Sequence, residues 1–98
     1  GIVAAAEEML AKNPEDALAL SIRLQAYSGK KDYAKVIELG EAAAAAQVDE
    51  ADKSQVYFLL GAAYNAKEMR EQAIAAFKKV TAGANVENAA AALAGLTK

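Results

Sequence analysis

The chain has 98 residues, about the length of one small domain, and its net charge is −2, from 11 basic and 13 acidic residues. This balance provides no strong field for nucleic acid or anionic lipid, and no apolar run approaches the ~20 residues that cross a bilayer. Histidine and cysteine are absent, which excludes disulfides and removes nearly every zinc arrangement and the commonest general base.

An alanine-rich composition with one proline predicts helices, and the first two are separated by a start signal. The first helix is predicted over residues 2–12. Asn13 is expected to cap the second helix, with Pro14 in the first helical position, where a missing N–H does no harm. The second helix is expected to run to Ser28 and to end at Gly29 in the left-handed conformation.

Two further helices are predicted in the middle of the chain. Asp32 begins the third, which contains five consecutive alanines at 42–46, strong helix formers with little side-chain entropy to lose. A polar connection follows it. Asp52 and Gln55 have the spacing of a capping box for the fourth helix, which is expected to end near Tyr64.

The last third of the chain predicts two more helices. A fifth is expected over residues 70–82, closed by Gly83, and a sixth over 86–96, capped by Asn85. No strand pattern occurs in the sequence. The sequence therefore predicts an all-α fold of about six helices joined by short turns.

Similar residues recur along the chain at a nearly constant interval. Ile2 is followed by Val36, 34 positions later, whereas Tyr27 and Tyr64 are 37 positions apart. We assign the three extra residues to the connection 47–53, because loops tolerate added length cheaply. A constant period with one insertion predicts repeated helical hairpins.

One stretch of the sequence matches the consensus of a known repeat. The tetratricopeptide repeat is a 34-residue helix–turn–helix unit with the pattern W-x2-L-G-x2-Y, then A-x3-F, then P. The corresponding positions here, in the same order and spacing, are Tyr57, Leu60, Gly61, Tyr64, Ala73 and Phe77. Asn85 stands where the proline would be. The chain therefore resembles the tetratricopeptide repeat family.

The resemblance implies one domain over 1–98, an all-α, right-handed superhelical solenoid of antiparallel helix pairs. Its expected parts are a half repeat at 1–16, a repeat with three extra residues at 17–53, a repeat at 54–87 and a half repeat at 88–98. The repeat at 17–53 is degenerate, since Leu24 stands at the glycine position and Gly40 at the phenylalanine position.

Gly61 is unusual inside a predicted helix, where glycine costs about 1 kcal/mol relative to alanine. We expect it to lie at the closest approach of two antiparallel helices, against Ala73. In the degenerate repeat, Leu24 and Gly40 are expected either to exchange large for small at constant volume or to change the angle of the hairpin.

No group of residues has the pattern of a catalytic or metal site. The carboxylates are expected at helix ends and on polar faces, as caps or solvated groups. Residues 49–52 spell D-E-A-D, but the chain has no P-loop and the segment follows a helix rather than a buried strand. Serines have no histidine partner. We therefore expect no enzymatic activity, no cofactor and no metal.

The resemblance implies that the first helix of each repeat lines a concave groove for an extended peptide or another protein. The residues expected to line it are Ser21, Gln25, Ser28, Gln55, Phe58, Ala62, Asn65 and Ala92. The amides are expected to bond a peptide backbone, and Phe58 to anchor an apolar side chain. The stripe has no basic residue, which argues against the carboxylate clamp known in the family. A groove that serves only as a scaffold surface stays open as an alternative.

The expected function is a non-catalytic interaction module, a scaffold or adaptor, with a protein or peptide partner and no nucleic-acid or membrane partner. Terminal helices of repeat arrays need a polar outer face, yet the last segment has only Glu87 and Lys98 as charges. A homo-oligomer through the terminal helices is therefore a further expectation. The alternatives are a structural or oligomerisation element of a longer repeat array and the regulatory domain of a larger enzyme.

Overall fold

The structure, a computed structural model, describes residues 2–97 and contains six helices in that range. They are α1 (Ile2–Lys12), α2 (Ala17–Gly29), α3 (Tyr33–Ala46), α4 (Glu50–Ala66), α5 (Arg70–Lys78) and α6 (Val86–Leu96). Residues 2–97 contain no strand, so the predicted all-α class is confirmed. The expectations that involve Lys98 and the side chain of Ile2 lie outside what the structure describes.

Asp16, rather than the predicted Asn13, caps the start of α2. Its carboxylate accepts the N–H of Ala19 at 3.2 Å. Asn13 ends α1 instead, since its N–H donates to the carbonyl of Met9 at 3.0 Å, and its own carbonyl accepts the N–H of Asp16 at 3.1 Å. Pro14 therefore lies in the tight turn between the helices and not in the first turn of α2.

The start of α3 agrees with the prediction, whereas α4 begins earlier than predicted. The Asp32 carboxylate accepts the N–H of Lys35 at 3.4 Å, as expected of a cap. At α4 the cap is Asp49, which accepts the N–H of Ala51 at 2.9 Å, so Asp52 lies inside the first turn. Asp49 and Asp52 both suit the positive end of a helix dipole, but the capping hydrogen bond is made by Asp49, the earlier of the two.

Two helices end in the same turn, each with a non-glycine residue in the left-handed conformation. Lys31, after α2, and Glu68, after α4, both have φ 62°, so the expected left-handed Gly29 is instead the last residue of α2. In each turn the next N–H donates five residues back: Asp32 to Tyr27 at 2.9 Å, and Met69 to Tyr64 at 2.8 Å. This is the Schellman motif, formed twice 37 positions apart.

The fifth helix ends at Lys78, four residues before the predicted end at 82. The cause is Ser54 of α4, which is fully buried and whose Oγ accepts the N–H groups of Thr81 and Ala82, each at 3.1 Å. These N–H groups therefore bond across the fold instead of along a helix. Gly83, with φ +88°, lies in the connection that follows.

The start of α6 agrees with the predicted bounds but not with the predicted cap. Asn85 occupies the position before the helix, yet its side chain makes no capping hydrogen bond. Its Oδ1 accepts instead from the amide of Asn88 at 3.4 Å. The helix therefore depends on its packing rather than on a side-chain cap.

The helices pack in chain order, and α2 also packs against α4. The described residues span 45 × 25 × 17 Å with a radius of gyration of 13.0 Å, the value expected of a compact chain of this length. Two groups of buried residues hold them together. The larger group has members from each of the helices α1, α2, α3, α4 and α5. Its members of lowest exposure include Ala19, Leu24, Val36, Ala43, Val56 and Leu60. The smaller consists of Ala73, Phe77, Val80 and Ala89.

Two glycines mark close helix contacts. A Cβ on Gly61 would lie 2.7 Å from ring atoms of Phe77, so the side chain that requires a glycine here is Phe77 rather than the expected Ala73. A Cβ on Gly40 would overlap the side chain of Leu60 in α4. The three atoms nearest to such a Cβ all belong to Leu60, so the neighbour that requires a glycine at position 40 comes from the next helix.

Candidate binding groove

A surface groove of about 320 Å³ lies where α2 and α4 meet. We call it the α2–α4 groove. Its lining residues come from α2, from the residue after α3 and from the first turns of α4: Ala17, Leu18, Ser21, Gln25, Gln47, Asp52 and Gln55. The groove exists because α2 and α4, which are not consecutive in the chain, are in contact.

Three of the eight residues predicted to form a binding groove line the α2–α4 groove: Ser21, Gln25 and Gln55. The Gln25 amide donates to the Ser21 hydroxyl at 3.1 Å, as neighbours four positions apart on one helix face do. Gln25 is exposed, and Ser21 and Gln55 are half-buried. The three side chains therefore present hydroxyl and amide groups to whatever occupies the groove.

Phe58 and Ala92 pack against the smaller buried group instead of lining this groove. The Phe58 ring is half-buried and meets the Phe77 ring edge-on, with centroids 5.7 Å apart and planes at 60°. Edge-to-face pairs of this kind stabilise a core. The ring predicted to anchor a partner is thus already engaged with α5.

The remaining predicted residues, Ser28, Ala62 and Asn65, do not line the α2–α4 groove. Ser28 and Ala62 are half-buried and Asn65 is exposed. Ser28 and Asn65 lie at equivalent places in the two Schellman turns, where the carbonyl of each accepts an N–H at 3.0 Å. Helical spacing alone placed them on the same stripe as Gln25 and Gln55.

Gln47 is a groove residue that sequence reasoning missed. It is 6% exposed, and its Nε2 donates to the carbonyl oxygens of Ala17 at 2.9 Å and Ala43 at 3.0 Å. These bonds hold the start of α2 to the end of α3. Within residues 2–97 its Oε1 has no hydrogen-bond partner. In the sequence Gln47 is merely the first residue after an alanine run.

Leu18 and Asp52 give the groove an apolar wall and a charge. Leu18 is 62% exposed, second only to Val48 among the large apolar side chains that the structure describes. Asp52 is exposed and is the one ionised side chain among the lining residues. Asp49 and Glu50, which precede it, are not among the lining residues, so the formal charge of the lining is that of Asp52 alone.

A smaller depression of about 130 Å³ lies among α3, α4 and α5, lined in part by Tyr57, Tyr64 and Glu41. The ammonium of Lys79 lies 4.9 Å from the centre of the Tyr57 ring, a cation–π contact. Both tyrosines also pack against buried residues of the core. This depression therefore reflects helix packing.

Over residues 2–97 no cluster of three or more acidic side chains is arranged to hold a metal ion. In the same range no helix is both long and apolar enough to cross a membrane. A scan against protein-family models and searches of curated proteins and of solved structures found no match to this chain.

Proposed function

We propose that this chain is a non-catalytic protein-interaction module that binds a peptide or protein segment in the α2–α4 groove. The observation that carries the proposal is the position of Ser21, Gln25 and Gln55. They belong to two helices that are distant in sequence, yet they line one groove. A concave surface with a few convergent polar groups is the usual form of a binding site.

We also propose that the helices form a right-handed solenoid of antiparallel pairs, related to tetratricopeptide repeats. Three observations support this. Consecutive helices pack in chain order, α2 packs against α4, and the turn after α2 recurs after α4. In a repeat array each unit contacts its neighbours, and equivalent helices line one face.

The chemistry of the groove suits an extended segment. The amides of Gln25 and Gln55 both donate and accept, which matches the alternating groups of a peptide backbone. Leu18 offers exposed apolar surface for a partner side chain. No lysine or arginine lines the groove, so a terminal carboxylate is a poor candidate for the recognised group.

The test is a selection of random linear peptides displayed on phage against the full chain. We expect the selected peptides to lose about tenfold in affinity for Leu18→Ser, since a buried leucine contributes roughly 1.5–3 kcal/mol. Val86→Ser is the matched control, because Val86 is also exposed, at 37%, but lies on α6. Equal binding to wild type and Leu18→Ser would contradict the proposal, as would a failure to select any peptide.

A second candidate function is self-association through α6. Ala89 is the one fully buried residue of this helix, whereas Val86 is exposed and Leu93 and Leu96 are half-buried. A second copy packed on α6 would bury this apolar surface. Sedimentation equilibrium at low micromolar concentration should then give a mass above that of the monomer, and a strict monomer would remove this candidate.

A further inference from the structure

We infer that α6 is a displaceable occupant of a helix-binding site on α5, and that a partner helix with the same spacing of apolar residues takes its place when α6 lifts away. The site is separate from the α2–α4 groove, so the inference goes beyond the proposed function and does not depend on it. Three observations carry it: how α6 is packed, how its two ends are held, and how weak an occupant its own sequence makes it.

The packing of α6 is separate from the main core of the fold. Among the described residues, no member of the larger buried group comes from α6, and the helix packs mainly against α5. Ala89 is the one fully buried residue that the structure describes in α6. Ala92, Leu93 and Leu96 lie half-buried against the smaller buried group. α6 can therefore leave α5 while the larger buried group, which holds α1 to α5 together, stays closed.

The connection before α6 limits the part of the chain that moves. The N–H groups of Thr81 and Ala82 are bonded to Ser54, so the chain is fixed on α4 up to residue 82. Gly83 follows with φ +88°, and the Asn85 side chain makes no capping bond to α6. A helix of 11 residues is too short to be stable in water by itself. Displacement therefore begins after residue 82, and α6 loses its helical structure when it leaves α5.

One side chain of α5 fastens the far end of α6. The guanidinium Nε of Arg70, the first residue of α5, donates to the carbonyl of Leu96 at 2.6 Å, and this bond is exposed. The last four carbonyls of a helix have no partner within the helix, so any helix that ends at this place presents an acceptor to Arg70. Arg70 therefore provides a donor for a partner helix as well as for α6.

The sequence of α6 makes it a weak occupant. Its residues that pack against α5 stand at 89, 92, 93 and 96, the i, i+3, i+4, i+7 spacing of a helix that docks with one face. Two of the four are alanines, which bury little apolar surface. Gly95 lies inside the helix although a Cβ there would meet nothing within 4 Å, so packing does not require a glycine that weakens the helix. A partner helix with alanine in that place would therefore compete with α6.

The site selects a helix with a small residue first and leucines last. Ala89 is 1% exposed, so a larger residue in its place would displace its neighbours. Those neighbours in the smaller buried group include Phe77 and Val80, which are apolar, so a polar residue there would be buried without a partner. The partner therefore carries an alanine, a small apolar residue three positions later, and leucines four and seven positions after the alanine.

The first experiment measures whether α6 opens by itself. The chain has no cysteine, so one introduced cysteine reports the opening of its own site through its reaction with a soluble thiol reagent. Ala89→Cys and Ala43→Cys are a matched pair, because both alanines are fully buried, one in α6 and the other in the larger buried group. We expect Ala89→Cys to react at least about 100-fold faster. Its rate should also depend less on urea, since a local opening exposes less surface.

A change in the larger buried group separates local from global opening. Val36→Ala should speed the reaction of Ala43→Cys about tenfold and leave that of Ala89→Cys unchanged, because the chain contains the new cavity whether α6 is closed or open. Equal rates of the two cysteines, or equal acceleration by Val36→Ala, would overturn the inference. Hydrogen exchange of the unsubstituted chain makes the same comparison without a cysteine, since the amides of α6 should exchange faster than those of α4.

The second experiment tests the site with a helix of known sequence. The probe is a synthetic peptide of residues 85–97 with Gly95→Ala, added to the full chain that carries Ala89→Cys. A peptide in the place of α6 holds α6 open. Because a segment on a short linker has an effective concentration in the millimolar range, millimolar peptide should speed the reaction of the cysteine about fivefold. The matched control is the same peptide with Leu93→Ser, which lacks one apolar anchor but has the same length and charge. Acceleration by both peptides alike, or by neither, would overturn the inference.

Discussion

The α2–α3 and α4–α5 hairpins have the same turn but different packing. In both, a left-handed residue, Lys31 or Glu68, follows the first helix, and the same pattern of backbone bonds closes the turn. In α4–α5, Gly61 makes room for Phe77 of the same hairpin. In α2–α3, Gly40 makes room for Leu60, which belongs to α4.

The difference shows that the turn and the interhelical packing are set by different parts of the sequence. The turn depends on a few local backbone bonds, so it can recur even where the side chains around it differ. Packing depends on total volume, so a small residue in one helix can be matched by a large one in any helix it touches. The Gly40 contact therefore lies between two hairpins, whereas the Gly61 contact lies within one.

The largest effect is expected at the contact between hairpins. Gly40→Ala should reduce the free energy of unfolding by about 2 kcal/mol, because its new methyl group overlaps the side chain of Leu60, which is fully buried. The helix preference of alanine offsets part of the strain. Urea unfolding followed by circular dichroism measures the change.

A double-mutant cycle identifies the partner of Gly40. Leu60→Ala creates a cavity next to Gly40, so Gly40→Ala should cost much less in that background than in wild type. Additive costs of the two changes would contradict the assignment. Gly95→Ala is the control, since a Cβ there meets nothing within 4 Å and should be harmless or slightly stabilising.

Next in size is the contact that ends α5. Ser54→Ala should cost about 1.5 kcal/mol, because the N–H groups of Thr81 and Ala82 lose their common acceptor. Hydrogen exchange at Thr81 and Ala82 should accelerate more than at Lys31, in the unchanged turn after α2. Uniform acceleration along the chain would show that Ser54 affects only global stability.

The contact within the second hairpin comes third. Gly61→Ala should cost about 1 kcal/mol, since a Cβ would stand 2.7–2.9 Å from the Phe77 ring and the strain is again partly offset by helix preference. Phe77→Leu should relieve the strain of the added methyl group, whereas Ala73→Gly should not. If only Ala73→Gly relieved the strain of Gly61→Ala, then Ala73, the neighbour expected from the sequence, would be the residue that requires a glycine at position 61.

The elements of the fold were predictable from the sequence because they depend on local preference. The bounds of α1 and α6 agree with the prediction, since alanine-rich stretches form helices in almost any context. The start of α2 and the end of α5 were not predictable from local preference. The Asn13 side chain accepts the N–H of Glu15 in the connection instead of capping α2, and the Ser54 hydroxyl accepts the N–H groups of Thr81 and Ala82, 27 and 28 positions later in the chain. Contacts this distant leave no local signal.

The candidate groove was predictable in part for the same reason. Helical spacing placed Gln25 and Gln55 on one face, and both line the α2–α4 groove because they lie on helices that meet. It placed Phe58 on the same stripe without knowing that Phe77 would engage its ring. Gln47 could not be found at all, since its role depends on the carbonyl of Ala17, 30 residues earlier.

The smallest effect is expected at the turns that the two hairpins share. Lys31→Gly and Glu68→Gly should each stabilise the chain by about 0.5 kcal/mol, because glycine adopts a positive φ without the Cβ clash that lysine and glutamate have, although it loses more chain entropy on folding. The two gains should be equal and additive, since the turns have the same geometry and lie in separate hairpins. Urea midpoints of the single and double variants measure this. Clearly unequal changes in the free energy of unfolding would show that side-chain packing also affects the two turns, so that their stability does not depend on local backbone bonds alone.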